Sequence, residues 1–397
     1  NPLPEQIDTD GEWRVMVAAY RRFLDTLLYK KYAEARRLVR SVDPNHLVSF
    51  RMAEAGNPTF RWGGRIPYDF PYLAGAVDFL APEAYGRIGD WERTKPGWFE
   101  REYARWAAPT KPMIWAEAGV NTWDVSRMEN SRERLTFAAE AYRNFYRLLI
   151  ESAADGVFFW WYPGGFRVGE NSDFGIIEPD GTDREVTQVI REWGPKFING
   201  PSLKPVDYWI TIDRDRHTDG VAGIYREVQD SFWKAIEQGK TPGLKTSGTG
   251  TDSCSSPDLA VGNTKPNGSN PLKYLDAAFD LVEVMGPDGN WKRVAPNEKI
   301  RPSRPGKLVL HVMLTNLGES TWSADPKCKV SLLGLDSEGR IISRVDLTKP
   351  TTRFESIDVT GFEVDLPNSS GSFKITLRLS AANKGMFGEA FAMVVEL

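Results

Sequence analysis

One carboxylate stands out by its setting. Lys111-Pro-Met-Ile-Trp-Ala-Glu-Ala-Gly119 reads as a short apolar strand, introduced by a proline, that releases Glu117 at its carboxyl tip just before a glycine. In parallel α/β architectures the strand interiors fill the core, whereas residues at the carboxyl ends line the open face where ligands sit. A carboxylate held there on rigid backbone can attack an electrophilic carbon or move a proton. Trp115, two residues earlier, and Trp123, six later, offer flat apolar faces to a pyranose ring. The combination suits hydrolysis of a sugar linkage. A plain surface glutamate at a strand end is the alternative reading of the same segment.

Three other segments end in a similar way. His46-Leu-Val-Ser-Phe-Arg51 reads as a buried strand closing on Arg51. Val77-Asp-Phe-Leu-Ala-Pro82 runs into Glu83-Ala-Tyr85-Gly86, and Val157-Phe-Phe-Trp-Trp161 breaks at Pro163-Gly-Gly165. On a parallel sheet these ends bring Arg51, Glu83, Tyr85, Glu117, Trp160 and Trp161 to one face. His46, at the opposite end of its strand, is expected to be structural.

Parallel strands need crossover helices between them, and the spacing supplies them. Thr9-Asp-Gly-Glu12 has the spacing of a capping box. After it Trp13, Met16, Val17, Tyr20, Phe23, Leu24, Leu27 and Leu28 recur at helical intervals until Asp43-Pro44. A polar loop from Glu54 to Arg65 carries Trp62. A helix is expected over Trp98 to Trp106, and another from a cap near Asn130 through Leu149, ended by Asp155-Gly156. The α/β pattern finishes near Asn199 with four strands. A closed eight-stranded barrel typically needs roughly 250 residues, and four strands cannot close, leaving two raw edges. Residues 1–199 therefore read as half of a barrel, either completed by another polypeptide or belonging to a longer protein.

Residues 200–272 read as a connecting extension, with a strand near Val206 to Asp213 and a helix near Tyr225 to Glu237, followed by a Gly/Ser/Thr-rich linker. Asp213, Asp215, His217 and Asp219 alternate as calcium-loop ligands do, but the glycine is displaced and the closing glutamate missing. No metal or other cofactor is expected. Gly248-Thr-Gly250 lacks the lysine and helix of a phosphate loop and reads as a turn. Residues 273–397 alternate with period two from Leu308 to Leu314, and comparable runs lie at 329–335, 340–345, 362–366, 373–379 and 390–395. Seven or so strands at this spacing suggest an immunoglobulin-like β-sandwich. His311 is expected to sit there with no carboxylate near it.

The formal charge of −4, from 50 basic and 54 acidic residues, provides no field favouring nucleic acid or an anionic membrane. No apolar run approaches membrane-spanning length. The chain opens on Asn1-Pro-Leu-Pro-Glu-Gln6, so an export signal is expected to be absent or already removed. Cys254 and Cys328 permit one disulfide without fixing a compartment. Aromatics make up 12% of the chain, with 14 tryptophans, which tilts toward carbohydrate, although large cores also use Trp and Tyr.

Taken in order, the strand ends of residues 1–198 resemble the glycoside hydrolase clan of retaining TIM barrels with two catalytic glutamates, the cellulase-like and β-galactosidase-like families. Trp115-Ala-Glu117-Ala-Gly119 resembles the seventh barrel strand, which carries the nucleophile. Ala84-Tyr85 resembles the end of the sixth, and Gly156-Val-Phe-Phe-Trp160 that of the eighth, with its aromatic. Gly164-Gly-Phe-Arg167 through Asp173-Phe-Gly175 and Pro179-Asp-Gly-Thr182 resemble the loop that follows. The fold implied is α/β plus all-β: the second half of a (β/α)8 TIM barrel, a linker and an immunoglobulin-like β-sandwich. That accessory domain is matched through Asn316-Leu-Gly318, Trp322 and a turn at Gly385-Met-Phe-Gly388.

The resemblance implies that Glu117 attacks the anomeric carbon, with Tyr85 orienting it. Trp160 would floor the sugar subsite, with Trp161, Arg51, Glu83, Arg167 and Asp173 around it. Retaining enzymes also need a second carboxyl about 5 Å away to protonate the leaving oxygen. In the clan that glutamate ends the fourth strand, and nothing here matches it; Glu83 or Glu54 is a poor substitute. The expected partners are a carbohydrate substrate and a companion chain or fragment that brings the acid. A secreted, cell-surface or periplasmic location is expected. The competing readings are a non-catalytic carbohydrate-binding or scaffold protein, and an aldolase-like enzyme, which would want a strand-end lysine or a metal cluster.

Overall fold

The structure, a computed structural model, describes residues 1–9, 11–52, 56–60, 63–67, 69–200, 202–217, 220–257, 273–304, 306–367 and 370–397. They form two compact units, Asn1–Lys245 and Thr246–Leu397.

The first unit begins with α1 (Pro4–Asp8) and the 29-residue α2 (Arg14–Val42). The expected capping box at residues 9–12 is not used. The Thr9 hydroxyl instead donates to the Glu5 carbonyl and closes α1, while α2 starts after Trp13 without a side-chain cap; Asp10 lies outside the described residues. The unit continues through β1 (Arg51–Met52), α3 (Phe70–Ala76), β2 (Ala81–Pro82), α4 (Trp91–Thr94), α5 (Pro96–Ala107) and β3 (Ile114–Ala118). A small hairpin, β4 (Trp123–Asp124) with β5 (Glu129–Asn130), then leads into α6 (Arg132–Glu151), β6 (Gly156–Phe159) and α7 (Glu185–Ile198). Ser131 caps α6 by accepting from the Arg134 N–H.

Strands β1 and β2 pair in parallel, as do β3 and β6. Single parallel bridges, Leu80 with Met113 and Glu83 with Glu117, join the two pairs. The result is an open ladder in the order β1-β2-β3-β6, with no closed barrel among the described residues. The strands are short, and isolated bonds such as Asp78 N–H to Val48 O, 2.8 Å, extend the ladder toward the amino end. Asp78 takes Arg36, Arg40 and the Val48 N–H, and although burial opposes it these bonds lower its carboxyl to about 2. α2 packs on α3 and buries Val17, Ala18, Arg21, Asp25 and Tyr29. A second stripe of the same helix, Met16, Phe23, Leu27 and Leu38, stays exposed.

The expected boundary at residue 199 falls inside this unit. A further βαβ element, β7 (Tyr208–Thr211), α8 (Val221–Glu237) and β8 (Pro242–Lys245), pairs its strands in parallel. Ion pairs tie it down: Asp215 takes Arg21 and Arg22, and Arg214 reaches Asp25 and Asp69 at 3.0 and 3.2 Å. Residues 202–217 and 220–245 are thus part of this unit: their charges find buried partners on α2 and at the cap of α3, and Tyr225 and Phe232 of α8 pack on Phe99 of α5. Residues 258–272 of the expected linker lie outside the described residues.

The second unit is a two-sheet β-sandwich. Its strands are β9 (Ala277–Met285), β10 (Trp291–Arg293), β11 (Lys299–Ile300), β12 (Lys307–Asn316), β13 (Val330–Leu335), β14 (Ile341–Asp346), β15 (Ser356–Asp365), β16 (Ser372–Ala381) and β17 (Gly385–Glu396). One sheet runs β10-β9-β12-β15 and the other β11-β17-β16-β13-β14. Alternation decides the inner face: Leu308, Leu310, Val312 and Leu314 meet Leu332, Leu377, Leu379 and Met393 around Trp322. Gly385 to Gly388, expected as a turn, opens β17 instead, since Ala381 pairs with Gly385 and Leu379 with Phe387. Cys254 and Cys328 form the disulfide, which staples residues 246–257 to the sandwich.

Candidate active site

Glu117 is the penultimate residue of β3, and its position depends on an irregularity in that strand. Trp115 and Glu117 are two residues apart and would share a face in a regular strand. Trp115 is fully buried toward the helices, edge-on to Phe145 of α6 at 5.6 Å and beneath Arg87 at 5.4 Å. It is therefore core and not a wall of the site. Between Trp115 and Ala118 the pairing with β6 slips, so that β3 spends three residues against two. Such a bulge re-aims side chains, and Glu117 meets Arg51 and Tyr85 instead of α6.

Both Glu117 oxygens have donors. Arg51, from the end of β1, donates Nη1 to Oε1, and the Tyr85 hydroxyl donates to Oε2 at 3.2 Å. Arg51 also sets its Nε 2.6 Å from Oε1 of Glu83, the residue bridged to Glu117 on the neighbouring strand. Glu83 and Glu117 are 6% and 9% exposed, whereas the Arg51 side chain is 61% exposed. The hydrogen bond to Glu117, then the charge of Glu83, raise Arg51 above its ordinary pKa. Burial, then the charge of Glu117, push the Tyr85 phenol well above its own, so it remains a donor. Arg87 supports this strand end from behind: it donates to the Glu83 carbonyl and pairs with Glu100 at 2.7 Å, both side chains fully buried. Burial pushes the Glu100 carboxyl up to about 8 against the opposing charge of Arg87.

The end of β6 supplies the aromatic wall. The Trp160 N–H donates to the Ala118 carbonyl at 2.9 Å, and the Trp160–Trp161 peptide is cis. Gly119 is required by this approach, since a Cβ on it would lie 2.4 Å from the Trp160 carbonyl oxygen. Trp161 exchanges backbone bonds with Phe174 and Ile176. Phe174, which the sequence reading gave no role, touches Tyr85 edge-on at 6.0 Å and Trp161 at 5.5 Å. Arg167 lies 5.5 Å from the centres of both Trp160 and Trp161, exposed, with Glu170 3.1 Å away. Trp123 meets Phe166 in a tilted contact at 4.4 Å.

Asp173, expected to contact substrate, is fully buried and saturated. Arg184 donates to both its oxygens, at 2.7 and 3.2 Å, and Asn130, Gly165 N–H and Gly175 N–H complete its shell. Burial alone would raise its pKa; the bonds from Arg184, Gly175 and Asn130 hold it below the ordinary carboxylate range. It therefore orders the loop that carries Arg167 and has no oxygen left for a sugar. Arg184 and Asn130 were missed by sequence reasoning. The signal available was Asp173 between glycines in a loop, which needs a buried cation if that carboxylate is internal.

The other candidates separate from this cluster. Asp215 is occupied by arginines, and His217 bonds Glu227 at 2.6 Å. His46 is exposed and bonds Asp43 at 2.7 Å. His311, expected without a carboxylate, has two: Glu283 at 2.9 Å and Asp358 at 3.1 Å, from the strands on either side. Among the described residues the one grouping with metal-ligand types is Asp252, Cys254 and Cys328, whose sulfurs are consumed by the disulfide. Glu54, Trp62 and Asp219 lie outside the described residues.

The chain matches no family model and no curated protein. Among solved structures it is similar to GH5_18 from Bifidobacterium longum subsp. longum ATCC 55813, at 16% identity over 51% of this chain and 50% of that one, with a TM-score of 0.39. It is also similar to a polyextremophilic β-galactosidase from the Antarctic haloarchaeon Halorubrum lacusprofundi, at 13% identity over 98% of this chain and 57% of that one, TM-score 0.45. A third is the exo-β-1,4-mannosidase Op5Man5 from Opitutaceae bacterium strain TAV5, at 12% identity, covering 98% and 73%, TM-score 0.40. The chain spans about half the length of the first of these. Likenesses this slight carry no argument about its chemistry.

Proposed function

We propose that the chain carries the nucleophile half of a retaining glycoside hydrolase that cleaves a β-linked poly- or oligosaccharide. The observation that carries the reading is the Glu117 carboxylate, delivered by a strand-end bulge, oriented by Tyr85 and Arg51 and flanked by the Trp160 and Trp161 wall. Its uncommitted lone pairs attack the anomeric carbon while the leaving oxygen is protonated by a second carboxyl. That proton donor belongs to a companion chain or further segment that completes the barrel. Two features support such a complement: β1 and β6 each keep one edge unpaired among the described residues, and α2 exposes a second apolar stripe. The disulfide fits a secreted, cell-surface or periplasmic location, and the sandwich serves as an immunoglobulin-like accessory domain.

The test is covalent trapping with 2,4-dinitrophenyl 2-deoxy-2-fluoro-β-glycosides of the gluco, galacto and manno series. Dinitrophenolate leaves without a proton, so the missing acid does not matter. The full chain gains the mass of one fluoroglycosyl group, mapped to Glu117, and Glu117→Gln gains none while melting like the parent. No adduct with any of the series, or an adduct that survives Glu117→Gln, refutes the assignment and favours a non-catalytic carbohydrate binder.

A further inference from the structure

Two carboxylates on bridged positions of adjacent parallel strands lie about 4.8 Å apart at their backbones. Left to themselves they do not both ionise, because like charges this close raise one pKa. Glu83 and Glu117 are such a pair, and one guanidinium, that of Arg51, lies between them with a different edge toward each. We infer that Glu83 is a positioning residue that acts through Arg51. It holds the guanidinium so that Oε1 of Glu117 is tied down and Oε2 is the attacking oxygen. Oε2 keeps only the longer bond from Tyr85, at 3.2 Å, and so has the more available electron pair. This deepens the glycosidase reading and rests on it.

The groups that face Glu117 are few. β1 brings Arg51, and the segment after β2 brings Glu83 and Tyr85, with Tyr142 of α6 behind that phenol. The end of β6 brings the uncharged Trp160 and Trp161, overlain by Arg167. Among the described residues Arg51 is the cation in contact with the Glu117 carboxylate.

In the trapping reaction Oε2 bonds to the anomeric carbon, the bond from that carbon to the aryl oxygen breaks, and dinitrophenolate departs with the electron pair. Glu117 loses its charge in this step, leaving Arg51 paired with Glu83 alone, so the guanidinium is never stranded without a counter-ion.

The experiment follows the Glu117 carboxyl directly, by 13C resonance of glutamate labelled at Cδ, assigned by its absence in Glu117→Gln. Arg51→Gln moves its midpoint up by about one pH unit, the lower end of what an adjacent charge produces because Arg51 is largely exposed. Glu83→Gln moves it down, since Arg51 then serves one anion. The double variant returns toward the parent value, and Arg51→Lys retains the midpoint but labels more slowly, since an ammonium cannot engage both carboxylates in fixed geometry. Trapping rates in Glu83→Gln fall by roughly tenfold in the covalent step with little change in reagent affinity. A midpoint that does not move in Glu83→Gln, or moves the same way in both single variants, overturns the inference. If the midpoints shift as expected and no variant or parent is ever trapped, the electrostatic assignment stands and the glycosidase reading falls.

Discussion

Arg184→Met should be among the most damaging single substitutions in the first unit. It removes a cation that is 1% exposed from an anion equally buried, leaving Asp173 with Asn130 and two backbone N–H groups. Breaking a buried pair from one side costs about 3–5 kcal/mol, against a typical domain stability of about 5–15 kcal/mol. Asp173→Asn is the gentler cut. Arg184 keeps Glu178 at 2.9 Å and the Gly175 carbonyl at 2.8 Å, so about 1–3 kcal/mol is expected. Urea titration of the full chain, followed by tryptophan fluorescence, reads both. At a slope of about 3 kcal/mol per molar, Arg184→Met moves the first unit's midpoint down by about 1 M or more. The pH dependence supplies a second check. The folded pKa of Asp173 is depressed, so its contribution is fully present above the unfolded value near ~3.9 and is lost as pH falls through the folded value. Asp173→Asn lacks that acid-side loss. A cost below about 1 kcal/mol for Arg184→Met, or a larger cost for Asp173→Asn, would show that the loop is not held by this pair.

Two further outcomes follow from single contacts. Gly119→Ala places a methyl against the Trp160 carbonyl oxygen; it should cost about 1–3 kcal/mol by forcing β3 and β6 apart and alter the near-ultraviolet dichroism of the tryptophan pair, and an unchanged spectrum with unchanged melting refutes the close approach. In the sandwich, the bond to Glu283 outweighs desolvation and raises His311 above its ordinary pKa, with Asp358 assisting. Its stabilising effect is therefore complete below about pH 6.5 and fades as pH rises through the folded value. Proton NMR should show the His311 ring titrating late, and Glu283→Gln should bring it earlier; an ordinary midpoint for His311 would contradict the geometry.

Periodicity made the long elements legible. α2, α6 and α8 bury one face and expose another, so their apolar positions recur at three and four residues, and β12, β16 and β17 largely alternate because one face of each strand meets the sandwich core; α5 and β13 are covered on both faces. Charge partnerships across distant segments were not legible. Asp213, Asp215 and His217 carried a metal-like spacing, but the neighbours in space of Asp215 are Arg21 and Arg22 and that of His217 is Glu227, and no local pattern announces an arginine almost two hundred residues away. The same blindness cut the first unit short at residue 199, since what ties the following βαβ element to it is that ion network together with the packing of α8 aromatics on α5.

The candidate site shows where reading by spacing succeeds and where it fails. Strand ends are marked locally by proline, glycine and the end of an apolar run, so Arg51, Glu83, Tyr85, Glu117 and Trp160 could all be assigned to one rim before any coordinates. Which way each side chain turns at that rim is another matter. Strict alternation gives Glu117 the same face as Trp115, which packs against α6, and a carboxylate there would be buried among Phe145 and its neighbours. What turns it toward Arg51 is the slipped pairing between β3 and β6. A short apolar run ending in Glu-Ala-Gly is therefore compatible with an inward or an outward glutamate, and the register against the neighbouring strand, which no local pattern announces, decides between them.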